Sequence, residues 1–132
     1  MARRQASQNK IVIHDNISDS DITFFYRMPT TRERQDYHNM AIRRKGNKIE
    51  FNQTEARLKF GMTILTGIGD GSFERYTEGN YFPISSVEGS PEFHPEWKQF
   101  VEDNGADLVT LLAAHVFEGS ANLLAAEDIE GK

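Results

Sequence analysis

The sequence predicts a mainly α fold with a small N-terminal β-hairpin (α+β), three principal helices packing around a long C-terminal helix. Three observations carry this. Residues 96–117 read EWKQFVEDNGADLVTLLAAHVF, and positions 97, 101, 104, 108, 111 and 115 step by four and three, the seam of an amphipathic helix. Two early runs rich in β-branched and aromatic residues flank a polar cluster. Thr30 with Glu33, and Asn52 with Glu55, have the spacing of helix starts.

In chain order, residues 1–9 form a flexible polar lead, residues 10–118 a single domain and residues 119–132 a tail. KIVIH at 10–14 and ITFFYRM at 22–28 are the two strands of the hairpin, with DNISDSD as the turn. A lone hairpin is marginal in water, so this one must lie against the helices or extend another sheet. The Thr30–Glu33 capping box, with Thr31 competing as the cap, opens a charged helix. It is expected to run to about Lys45 and end at Gly46-Asn47, with Tyr37, Met40 and Ala41 as a narrow apolar stripe.

Lys48-Ile49-Glu50-Phe51 is an extended link. The next helix starts at Asn52, turns Leu58, Met62 and Leu65 one way with Phe60 and Ile64 beside them, and stops at Gly67. Residues 66–90 are long, irregular and rich in Gly, Ser and aromatics, and Phe73, Tyr76, Tyr81 and Phe82 are candidates to pin them to the body. Pro95 then suits the first turn of the C-terminal helix. Asn104-Gly105 would ordinarily end a helix. Because the seam keeps its phase through Gly105, one continuous, slightly bent helix is preferred over two short ones, about 35 Å long at ~1.5 Å per residue.

The chain has 132 residues, one domain by length, with no cysteine and therefore neither disulfide nor thiolate chemistry. No apolar run approaches membrane-spanning length and MARRQASQNK has no apolar core, so neither signal peptide nor membrane span is expected, and the default compartment is cytoplasmic. The net charge of −5 is unevenly spread. Residues 1–60 hold twelve Lys/Arg against seven Asp/Glu (+5), and residues 61–132 three against thirteen (−10). Such asymmetry suits nucleic acid on the basic side, attraction between the halves, or attraction between copies.

The patterns of catalysis are not met. TGIGDG follows a helix rather than a strand, so it is no dinucleotide fingerprint, and no Gly-Lys-Ser/Thr is present. His14, His38, His94 and His115 do not pair at metal-ligand spacing, and His115 with Glu118 lacks the second motif of a di-iron bundle. No serine stands in Gly-x-Ser-x-Gly. Neither enzyme activity nor a cofactor or metal is expected. The basic run Arg43-Arg44-Lys45-Gly46-Asn47-Lys48, with Arg32, Arg34 and Arg57 as candidate flankers, is interrupted by Glu33, Asp36 and Glu50. A nucleic-acid-binding module using residues 32–48 is the second alternative.

Protein binding is the remaining signal. Ala106, Thr110, Ala113 and Ala114 are small and mostly opposite the leucine seam, so another helix could approach there; Phe24 or Tyr26 could supply an aromatic anchor at the groove's edge. Residues 24–68 (FFYRMPTTRERQDYHNMAIRRKGNKIEFNQTEARLKFGMTILTGI) and 97–118 together resemble the tail assembly chaperones of long-tailed bacteriophages over about half of the chain. Those small proteins open with a short β segment, continue into a Thr/Ser-capped charged helix and add further helices; they carry no catalytic signature. The resemblance implies a chaperone, working in the bacterial host cytoplasm, that holds the long, helical, aggregation-prone tape-measure protein during tail assembly. Homo-oligomerisation is compatible with it. A structural phage component or assembly adaptor is the first alternative.

Overall fold

The computed structural model describes residues 9–119, apart from the side chains of residues 44 and 45. Residues 1–8 of the expected lead 1–9 and residues 120–132 of the expected tail 119–132 lie outside the described residues; Asn9 is instead the first residue of a strand and Gly119 the last of a helical turn.

The N-terminal hairpin forms as its alternation requires. β1 (Asn9–Asp15) pairs antiparallel with β2 (Ser20–Tyr26) in unbroken register, Ile11 opposite Phe24 and Ile13 opposite Ile22. The Asp15 carboxylate organises the turn, accepting from the Ile17 and Ser18 amides and the Ser18 hydroxyl. Ile22, Phe24 and Tyr26 alternate onto one buried face. The hairpin gains a third strand, β5 (Leu65–Ile68), giving the order β1-β2-β5.

α1 (Thr31–Ala41) starts on the expected capping box. The Thr30 hydroxyl accepts from the Glu33 amide and the Glu33 carboxylate from the Thr30 amide. It ends four residues before Lys45. Ile42 is already extended, and the Ala41 carbonyl accepts from the Asn52 amide instead of continuing the helix. The residues read as its last turn form β3 (Ile42–Lys45), paired with β4 (Lys48–Phe51) around Gly46-Asn47, where Gly46 has φ +62°.

α2 (Gln53–Ile64) follows, with Asn52 at its N-cap position but without a side-chain capping bond. Its buried face is Ala56, Phe60, Gly61 and Ile64, with Leu58 and Met62 only partly covered. It stops at Ile64 rather than at Gly67, because residues 65–68 add to the sheet. The stretch 66–90 contains a further hairpin, β6 (Glu74–Thr77) with β7 (Asn80–Pro83), turning through Glu78 and Gly79, both at positive φ. Its flanks are sewn to the sheet: Ser72 Oγ accepts from the Thr23 amide at 3.0 Å and Ser86 Oγ from the Ile68 amide at 2.9 Å. Phe73 pins the region, stacked on Phe24 and edge-on to Phe100, whereas Tyr76, Tyr81 and Phe82 are exposed.

The expected architecture, three helices around a long C-terminal helix, is not what forms. Among the described residues three α-helices stand beside three small sheets, and α3 (Trp97–Ala113) is broken at Gly105 (φ −142°, ψ 28°). The Phe73 ring fills the break; a Cβ on Gly105 would meet it at 3.0 Å. After Ala113 the chain makes one π-helical turn (Ala114–Gly119). The seam shifts accordingly. Val101, Leu108 and Leu112 are buried and Trp97 is partly buried, but Leu111 is 53% exposed, and Val109, Ala113 and Val116 face the core. They pack mainly on α2, the most extensive helix–helix contact among the described residues.

Candidate interaction surfaces

The proposed client groove along the C-terminal helix does not exist. Ala113 is fully buried, its Cβ 3.3 Å from where a Cβ on Gly61 would stand. Ala106, Thr110 and Ala114 are half-buried, and the Thr110 hydroxyl donates to its own helix at Asp107 O. Phe24 (0% exposed) and Tyr26 (8%) belong to the core and cannot anchor a partner. The six residues are therefore not one surface. Ala113 serves the close approach of α2 at Gly61 rather than of a second molecule.

A different groove is present. Between α1 and α2 lies an open cleft of about 570 Å³, lined by Glu33, Asp36, Asn39, Met40, Arg43, Lys59 and Phe60. Met40 and Phe60 are its apolar elements and two acids and two bases its rim. The Lys59 ammonium sits 5.7 Å from the Phe60 ring centre. Glu33, one of the lining residues, is held by Arg27, which forks onto it at 2.8 and 2.7 Å. That guanidinium, with the Thr30 amide, holds the Glu33 carboxyl down at about 2, and Glu33 in turn raises Arg27.

The C-terminal turn closes the other side of the same helix pair. Arg57 of α2 grips Glu118 through Nε at 2.8 Å and Nη2 at 2.6 Å, and the Tyr37 hydroxyl of α1 donates to the same carboxylate. Arg34 Nη1 donates to the Val116 carbonyl at 3.0 Å. Beneath, Tyr37 stacks on Phe117 with centroids 4.7 Å apart, and Phe60 meets both rings edge-on. Burial pushes the Glu118 carboxyl up from its ordinary value. The π-helical geometry, which sequence periodicity does not reveal, sends Glu118 inward. Arg34 and Arg57 are thus engaged with the C-terminal turn and do not extend the basic run of residues 43–48.

Both short hairpins present apolar faces. Ile42 opposes Phe51, and Ile49 shares the face of Phe51; all three are exposed. On the other hairpin Tyr76 opposes Tyr81, rings edge-on at 5.1 Å, and the Arg75 guanidinium lies 5.6 Å from the Phe82 ring on the opposite face. Phe82 and Arg75 also line a second cleft, of about 400 Å³, with Pro91, Phe93 and His94.

Among the described residues no group of three or more His, Cys, Asp or Glu is placed to hold a metal ion, and no helix is long and apolar enough to cross a membrane. No protein-family model, curated protein or solved structure matches the chain.

Proposed function

We propose that the protein is an assembly chaperone of the kind found in long-tailed bacteriophages, holding an amphipathic helix of a tape-measure-like client in the α1–α2 cleft. The observation that carries the reading is the cleft itself: an open groove with Met40 and Phe60 in it and charges of both signs along its rim. A client helix lays its apolar positions on the partly buried Met40, beside the buried Phe60, and its flanking charges find Asp36, Arg43 and Lys59. Such a site holds an aggregation-prone helix while keeping the complex hydrated. The resemblance of residues 24–68 to that family supports the same reading, since these residues build both walls of the cleft.

Co-expression with a phage tape-measure protein as the candidate client tests it, the readout being the soluble fraction of that client. Asn39→Trp fills the cleft from an exposed position, and Met40→Glu removes an apolar contact. Both should keep the helical circular dichroism spectrum and lose the holding activity. If folded Asn39→Trp still keeps the client soluble, the cleft is not the holding site.

A further inference from the structure

We propose that the C-terminal turn, residues 114–119, is a strap that docks α1 against α2 and so gates the cleft between them. α1 has little hold of its own. Of its 11 residues only Tyr37 and Ala41 are buried, and it packs chiefly on α2. Elements with so few buried apolar contacts are the ones that open locally while the rest of a fold stays closed. The first turn of α1 is tied down by the Arg27–Glu33 fork. Further along, residues 116–118 hold it.

The turn grips both helices at once. The Glu118 carboxylate accepts from the Tyr37 hydroxyl of α1 and from Arg57 Nε and Nη2 of α2, so one side chain bridges the pair. The Phe117 ring bridges it a second time, stacked on Tyr37 and edge-on to Phe60. Tyr37, one of the two buried residues of α1, therefore meets the turn through both its ring and its hydroxyl. Regular α-helix ends at Ala113 and the turn is π-helical, so it can detach with α3 intact. Phe60 joins the strap to the cleft, because the ring that meets Phe117 also lines the groove beside Met40. With the strap docked, α1 and α2 keep the spacing that forms the groove. With the strap released, α1 loses its contacts to Phe117 and Glu118 and swings from α2. By linkage, an occupant that needs the formed groove also favours the docked strap. The purpose of such a gate rests on the client-holding reading, but helix spacing is measured with no client present, so each can fail alone.

Amide hydrogen exchange of the full chain, followed residue by residue, tests the strap. Glu118→Gln keeps the shape of the side chain and removes the charge that Arg57 grips. The amides of residues 36–41 should then exchange roughly tenfold faster than in wild type, while those of residues 108–112 in α3 keep their wild-type rates. Unchanged exchange in α1 overturns the proposal. So does equal acceleration in α1 and α3, which would make the turn part of the common core. The chain has no cysteine, so nitroxides at Asn39→Cys and Lys59→Cys, exposed positions on the two walls of the cleft, read the helix spacing. Adding Phe117→Ala/Glu118→Gln should broaden their distance distribution. A distribution as narrow as with the strap intact overturns the gating.

Discussion

Gly61 on α2 stands so close to Val109 on α3 that a Cβ added to it would lie 2.7 Å from Val109 Cγ1 and 2.9 Å from the Val109 carbonyl oxygen. The central helix pair is set by the absence of that one atom. Gly61→Ala has two opposed effects. Alanine favours the helix by about 1 kcal/mol. Overpacking a closed interface costs about 1–3 kcal/mol, and the backbone oxygen has no rotamer by which to withdraw. The clash should win, with a net loss of up to about 2 kcal/mol in urea unfolding. A more stable Gly61→Ala protein would mean that α2 and α3 lie further apart than this.

The two neighbours of Leu112 should behave oppositely to what the heptad seam suggests. Leu111 is half exposed, so Leu111→Ala should change stability by no more than about 0.5 kcal/mol. Ala113 is fully buried, so Ala113→Glu forces a carboxylate into the α2–α3 contact and should cost at least about 3 kcal/mol or prevent folding. Denaturant titrations of the two variants decide the point. A stable, fully folded Ala113→Glu protein would restore the opposite helix face as a free surface.

Acid should release the Arg27–Glu33 fork. The folded Glu33 carboxyl titrates at about 2 against an ordinary 4.5, so its ionised form favours the folded state. That contribution is fully present above pH 4.5 and disappears as the pH falls from 4.5 toward about 2. The melting temperature of wild type should therefore exceed that of Glu33→Gln at neutral pH, the gap narrowing through this window. A gap that is constant with pH would show that the charge of Glu33 is not what matters.

Much of the local structure was legible in residues alone. The capping box at Thr30 and Glu33, the β1–β2 hairpin and the start of α2 depend on contacts within a few positions, and their signals are local. Gly46-Asn47 was a turn signal too. After the helical stripe of Tyr37, Met40 and Ala41, however, the same pair also fits a helix end. The short flanks Ile42–Lys45 and Lys48–Phe51 are the two arms of the hairpin that this turn closes. Glu78-Gly79 lacks the usual Asn-Gly or Asp-Gly signature, so the β6–β7 hairpin announced itself only as an aromatic-rich irregular stretch.

The chain's own composition and spacing determined the division of charge between its halves, the capped first helix and the N-terminal hairpin, but not the mainly α architecture read from them, which three small sheets overturn. The tertiary structure decided which face of the last helix is the core. A seam stepping by four and three assumes an average of 3.5 residues per turn and an unbroken axis. Of the buried positions, 101, 105, 109, 112 and 116 step by four, four, three and four, with 108, 113 and 117 beside them, and the axis breaks at Gly105 where Phe73 enters. Phe73 reaches Gly105 from 32 positions away in the chain, and Gly61 reaches Val109 from 48. Side chains so far apart in sequence leave no periodic trace of their meeting. Close packing between such distant residues, rather than the amphipathic pattern of any one helix, selects the face that is buried.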